Sequence, residues 1–152
     1  MTFVSAYSGT SHWYHAFKVE ALWKFCLRKG MKQKRLGIHV MRPTEPIIDV
    51  DLFMELVTNW HREYENDGTV VVHDDGLVQY QLIGHRSHHI FYAALVLNKE
   101  TLTCSVSKQA PVDELMNNGN LLHFSRGTGG KLEKAIIRQL KDALEKRGYT
   151  FL

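Results

Sequence analysis

The feature that most constrains the fold is a change in hydrophobic spacing at Thr69. Helical spacing gives way there to short apolar runs, and turn sequences such as Asp74-Asp75-Gly76 separate the runs. The pattern predicts four strands, at residues 69–73, 77–83, 89–97 and 101–107. Because only short turns join these strands, we expect neighbours to run antiparallel as a four-strand meander.

Helical spacing of apolar residues predicts three helices around this region. Two precede it, at residues 13–28 and 49–64, and one long helix follows it at residues 131–147. Shorter apolar runs, some of them strand candidates, lie at residues 2–7, 36–41, 120–124 and 149–152. We therefore expect an α+β fold with a single antiparallel-rich sheet. No linker composition divides residues 1–152, so we expect a single domain.

Composition favours a soluble cytoplasmic protein. The two cysteines, Cys26 and Cys104, have no CxxC spacing, and we expect buried thiols in a reducing compartment. The first residues lack the basic flank and apolar core of a signal peptide, and no apolar run approaches bilayer length. The net charge of +3 equals that of residues 131–147 alone, which carry six basic and three acidic residues. This charge permits an anionic partner without requiring one.

A glycine-rich loop precedes the long helix. Its residues are Arg126, Gly127, Thr128, Gly129, Gly130 and Lys131. Glycines allow a ligand to approach the backbone, and the free N–H groups at a helix start favour an anion. The loop is not a Walker motif. We also exclude a dinucleotide fingerprint, because the preceding region reads as a meander rather than a βαβ unit. The alternative is a flexible turn before a surface helix.

The loop and its helix resemble the acetyl-CoA-binding segment of the GNAT N-acetyltransferases. The resemblance rests on residues 126–132, on Ala135-Ile136-Ile137 and on residues 146–149, with a hairpin-like match at residues 70–78. In that family an Arg/Gln-x-x-Gly-x-Gly/Ala loop holds the cofactor pyrophosphate at a helix start. Arg126 and Gly129 match this motif, whereas Lys131 stands where the family has Gly or Ala.

The resemblance implies transfer of an acyl group from acetyl-CoA to an amine. Residues 126–131 would hold the cofactor, and His123, just before the loop, is the candidate base. The family's tyrosine acid has no clear counterpart, and Tyr149 is the nearest phenol. For His123 the alternative is a half-buried strand histidine without a catalytic role.

A non-catalytic function is the alternative for the whole chain. Basic and aromatic residues alternate near Trp13 and Trp23, which is typical of a binding or inhibitory module for nucleic acid or a protein partner. A homodimer is one possible assembly. A fainter resemblance at residues 7–11 is to small ADP-ribosyltransferase-like domains, with Ser8 in place of their histidine.

Three clustered histidines suggest a metal site at first sight. His85, His88 and His89 lie near the hairpin that carries His73. However, His88 and His89 are adjacent and would point to opposite faces of any strand that they shared, so at most one of them could join a given site. We therefore expect a polar turn here and no metal site.

Overall fold

The structure is a computed structural model that describes residues 31–117 and 119–152. Residues 33–152 form one compact unit. The strand predicted at 2–7, the helix predicted at 13–28 and the matches at Trp13, Trp23 and residues 7–11 lie outside the described residues. The prediction of a single domain over residues 1–152 stays a prediction.

The described residues form eight strands, three helices of nine or more residues and one short helix. The strands are β1 Lys32–Gly37, β2 Met41–Arg42, β3 Ile47–Ile48, β4 Val70–Asp74, β5 Tyr80–Ile83, β6 Thr101–Ser107, β7 Leu121–Phe124 and β8 Thr150–Phe151. The helices are α1 Val50–Thr58, α2 His85–Val96, α3 Glu114–Asn117 and α4 Lys131–Glu145. Short 3-10 helices lie at Ile38–Val40 and Arg62–Glu65. The fold is therefore α+β, as predicted.

The strands form two sheets, and the prediction of one antiparallel-rich sheet is wrong. Five strands form a mixed sheet in the order β1-β6-β4-β5-β2, in which β4 and β5 are antiparallel, whereas β4–β6 and β2–β5 are parallel. Strands β3, β7 and β8 form a second, wholly parallel sheet. The hairpin of β4 and β5 is confirmed, and the Asp74 and Asp75 side chains accept turn N–H groups.

The meander fails because residues 89–97, predicted as a strand, belong to helix α2. Every residue from Ser87 to Ala94 in this helix is buried. A helix buried on all sides shows no polar face, and a short apolar run cannot distinguish it from a buried strand. Helix α2 carries the chain from β5 past β4, so that β6 becomes the parallel neighbour of β4.

Helix α4 and the strand after it are confirmed. Leu140 and Leu144 are fully buried on its inner face, and Gly148 ends the helical region with a positive φ of 94°. Strand β8 pairs parallel with β7, so β7, α4 and β8 form a βαβ unit. The loop therefore lies within a βαβ unit, so the expectation that it lies outside one is wrong and does not exclude a dinucleotide fingerprint. The third glycine of that motif is nevertheless absent, because Leu132 stands in its place.

The helix predicted at residues 49–64 is shorter in the structure. Helix α1 ends at Thr58, whose hydroxyl donates to the Met54 carbonyl at 2.9 Å, and a 3-10 turn follows at Arg62–Glu65. In the part of the chain that the structure describes, no helix is both long and apolar enough to cross a bilayer. Cys104 is fully buried as predicted, and Cys26 lies outside the described residues.

Candidate functional site

The glycine loop leaves the carboxyl end of β7 and turns back on a carboxylate of α4. The Thr128 N–H donates to Glu133 Oε1 at 3.1 Å, and the Thr128 hydroxyl donates to Glu133 Oε2 at 3.1 Å. The Gly129 N–H also donates to Glu133 Oε2. Glu133 is only 6% exposed. The N–H groups predicted to receive an external anion are therefore occupied by the chain's own carboxylate.

Two glycines of the loop serve this internal contact. A Cβ on Gly127 would collide with Glu133 Oε1 and would lie 2.6 Å from Val50 Cγ1. Gly129 has a φ of 79°, in the left-handed region that side chains other than glycine rarely adopt. The close approach that glycine permits here is thus made to Glu133 and Val50.

Glu133 is held in its ionised form. Burial alone would raise the pKa of this carboxyl, but the hydrogen bonds from Gly129 and Thr128 outweigh burial and lower it below its usual value. A bound carboxylate at the start of α4 neutralises the partial positive charge of the helix N-terminus. An external anion would have to displace it or bind elsewhere on the helix.

The starts of three helices converge beside this loop. Ser125 Oγ accepts from the Val50 N–H at 3.0 Å, which joins the loop to α1. The Asp49 side chain caps α1 by accepting from the Leu52 N–H at 3.2 Å. His85, at the start of α2, places Nε2 3.6 Å from Asp49 Oδ2. Carboxylates therefore balance the positive ends of these helices from within the chain.

His88 and His89 use both ring nitrogens to hold residues 44–49. Each Nδ1 donates to the carbonyl four residues earlier, on Gly84 at 2.7 Å and on His85 at 2.6 Å. Nε2 of His88 accepts from the Thr44 N–H at 2.9 Å, and Nε2 of His89 accepts from the Asp49 N–H at 2.8 Å. An N–H donor requires an unprotonated acceptor, so both rings are neutral with the proton on Nδ1.

Burial enforces this neutral state. It lowers the pKa of His88 and lowers the pKa of His89 to about 4. The strand geometry assumed for these two residues is wrong, because both lie on helix α2. Neither ring retains a free lone pair for a metal. Among the described residues no group of three or more His, Cys, Asp or Glu is placed to hold a metal ion.

His85 differs from its two neighbours because it is half-exposed and faces carboxylates. Its Nδ1 lies 3.8 Å from Glu45 Oε1, and its ring centroid lies 4.3 Å from that of His89. The Glu45 carboxylate raises the pKa of His85 against the opposing effect of burial, and His85 lowers the pKa of Glu45. This ion pair adds a further polar contact between α2 and residues 44–49.

The predicted catalytic residues lie at different ends of the parallel sheet. His123 is in β7 just before the loop, and its Nδ1 is buried without a hydrogen-bond partner among the described residues. Tyr149 precedes β8 and is 9% exposed, and burial raises its pKa to about 12. Leu121 pairs with Thr150, so Tyr149 lies level with residue 120. That position is three residues before His123, a separation of about 10 Å along the strand direction.

The residues predicted to bind the cofactor form the glycine loop itself. Gly127 is half-buried, whereas Arg126, Thr128, Gly129, Gly130 and Lys131 are exposed. The sequence interpretation missed the inward turn of Glu133. Its signal was the spacing Gly130-x-x-Glu133, because a glutamate at the third helical position often reaches back to the N-terminal N–H groups of its helix.

The outer side of α4 carries the basic residues of this helix. Lys131, Lys134, Arg138 and Lys141 follow one another at spacings of three, four and three, and we call them the basic face of α4. Within residues 31–117 and 119–152 none of the four forms an ion pair. The Lys141 ammonium lies 5.4 Å from the ring centroid of Phe151.

Comparison of the chain with protein-family models, with curated proteins and with solved structures found no match.

Proposed function

We propose that this chain is a non-catalytic module that binds the phosphate backbone of nucleic acid along the basic face of α4. The observation that carries the proposal is the unpaired state of its four cations within the described residues. Lys131, Lys134 and Arg138 are exposed, and Lys141 is half-exposed. Backbone phosphates are bound mainly by such lysine and arginine side chains.

The distribution of charge along α4 supports this proposal. Glu133 is turned inward to the loop, and the remaining carboxylates, Asp142 and Glu145, lie near the carboxyl end of the helix. The exposed charged side chains in the amino-terminal half of α4 are therefore all basic: Lys131, Lys134 and Arg138. Lys131 and Lys134 stand at the start of α4, where Glu133 already neutralises the partial positive charge of the helix N-terminus. A phosphate would therefore be attracted by these lysine side chains and not by the helix dipole.

The dimensions of the basic face also fit a nucleic-acid strand. At 1.5 Å per residue, the Cα atoms of Lys131 and Lys141 are separated by about 15 Å along the helix axis. This is the axial length of about four nucleotides of one duplex strand. Their spacing places all four side chains within an arc of about 80° around the helix. Phosphate contacts of this kind position a protein without reading base sequence.

Charge reversal of one residue tests this proposal against a matched control. We expect Arg138→Glu to weaken the binding of a fluorescein-labelled duplex in an anisotropy titration, because it replaces a phosphate contact with a repulsion. Lys108→Glu changes the net charge equally at an exposed lysine after β6. We expect this control to have a much smaller effect. Equal losses for the two variants would show only a net-charge effect and would refute the proposed face.

N-acyl transfer from acetyl-CoA to an amine stays a second proposal. In its favour, the glycine loop joins β7, α4 and the parallel strand β8 in the order that the GNAT resemblance implies. The pyrophosphate would have to replace Glu133 at the N–H groups of Thr128 and Gly129. His123 would remain the candidate base and Tyr149 the candidate acid, although Tyr149 lies far along the sheet from the loop.

Calorimetry with acetyl-CoA tests this second proposal. If the pyrophosphate uses the loop N–H groups, Glu133→Gln removes the competing negative charge and should strengthen cofactor binding. Absence of binding at about 1 mM cofactor, for both wild type and Glu133→Gln, would refute the proposal. A Kd of about 1 mM corresponds to a binding free energy of only about 4 kcal/mol in magnitude.

A cytoplasmic location and a homodimer also stay predictions.

A further inference from the structure

A cleft of about 660 Å³ lies at the opposite end of α4 from the glycine loop. It is bounded by the 3-10 turn after β1, by the turn between α2 and β6, and by the end of α4. The residues that matter for its chemistry are Ile38, His39, Leu95, Lys99, Glu100 and Arg147. Its volume lies within the range of small-molecule sites, which is about 300–1,000 Å³.

Arg147 is the distinctive residue of this cleft, because it is a half-buried cation without a carboxylate partner among the described residues. Its guanidinium carbon lies 5.7 Å from the ring centroid of Phe91. The single hydrogen bond of its side chain within the described part of the chain runs from Nη1 to the Ile38 carbonyl at a long 3.4 Å. A guanidinium has five N–H donors, so most of its donor capacity is unused.

We propose that this cleft binds a small organic anion, with Arg147 donating two parallel hydrogen bonds to its carboxylate or phosphate oxygens. A partly buried charge is costly unless it is paired, and the planar guanidinium fits both kinds of anion in this way. Leu95 is half-buried on the wall and gives it an apolar part, so the ligand combines its anionic group with a small hydrocarbon body.

The other charged groups of the cleft set its balance. Lys99 already pairs with Glu65 Oε2 at 3.4 Å and lies over the Trp60 ring, so it contributes little free positive charge. Glu100 is an exposed carboxylate on the wall and opposes an anionic ligand. Arg147 therefore supplies most of the attraction, and Glu100 is the residue whose neutralisation should strengthen it.

The test is an NMR titration of the full chain with three probes of similar shape. Benzoate supplies a carboxylate, phenyl phosphate supplies a phosphate, and benzamide is the neutral control. We expect saturable shifts of the Gly37 and Thr101 amides and of the Arg147 side chain with at least one anion, and none with benzamide. For probes of this size we expect a Kd of about 1 mM. The probe that binds more tightly shows whether the cleft prefers a carboxylate or a phosphate.

Three variants make the proposal falsifiable. Arg147→Gln should weaken binding at least tenfold, Arg147→Lys should retain part of it, and Glu100→Gln should strengthen it. Thermal melting checks that each variant is folded. If Arg147→Gln does not fold, Arg147→Lys provides the comparison with wild type. Absence of shifts at about 10 mM probe would overturn the proposal. Shifts with benzamide, or equal binding by wild type and a folded Arg147→Gln variant, would also overturn it.

Discussion

The neutral His89 ring predicts a specific loss of stability in weak acid. Its Nε2 accepts from the Asp49 N–H at 2.8 Å, and its Nδ1 donates to the His85 carbonyl at 2.6 Å. A second proton would place two donors face to face at Nε2. The native pKa is lowered to about 4, against about 6.5 in the unfolded chain. The unfolded state therefore binds more protons between these values, and stability falls as pH falls.

The magnitude follows from these two pKa values. A single group shifted from about 6.5 to about 4 lowers the free energy of unfolding by about 2 kcal/mol between pH 7 and pH 5. The lowered pKa of His88 acts in the same direction. His85 acts in the opposite direction, because the raised pKa of His85 adds stability as this residue becomes protonated. Glu45, whose pKa is lowered, loses its contribution only at more acidic pH.

Urea denaturation followed by circular dichroism at several pH values between 5 and 7.5 measures this effect. His89→Gln removes the titrating ring, so we expect a flatter dependence of unfolding free energy on pH than in wild type. Loss of the two buried hydrogen bonds should also lower stability at pH 7 by about 1–3 kcal/mol. His39→Gln, at an exposed histidine, is the control. Parallel curves for wild type and His89→Gln would refute the reasoning.

Three further predictions concern packing. Gly127→Ala should destabilise the chain by about 1–3 kcal/mol by crowding Glu133 and Val50, whereas Gly130→Ala, whose Cβ would have space, should cost less than about 1 kcal/mol in thermal melts. Leu140→Ala should cost about 2–5 kcal/mol in urea unfolding, because the side chain is fully buried. The Cys104 thiol, whose pKa burial raises to about 12, should resist iodoacetamide until denaturant is added; rapid alkylation in the native state would contradict its buried position.

The elements predicted correctly are those with a strong local sequence signal, such as a turn sequence or regular helical spacing. The hairpin of β4 and β5 follows from Asp74-Asp75-Gly76, and α4 follows from strong helical spacing with Gly148 beyond its end. Helix α2 was missed because its apolar residues cover all sides and include several with high strand propensity. That single error turned a mixed sheet into a predicted meander.

The candidate site was predicted only in part, for a similar reason. The glycine loop and the basic character of α4 are local and were predicted. The inward turn of Glu133 had a local signal that was not used. The contacts of His88 with Thr44 and of His89 with Asp49 join residues 40 or more positions apart, and no local spacing reveals them.

The salt dependence of nucleic-acid binding tests the central claim most directly. If the four cations of the basic face of α4 each neutralise one phosphate, the logarithm of the association constant for duplex DNA falls against the logarithm of salt concentration with a slope of about −3.6. Arg138→Glu should reduce the magnitude of this slope by about one unit, and Lys108→Glu should leave it unchanged. A wild-type slope near zero, or the same slope for wild type and Arg138→Glu, would contradict the account.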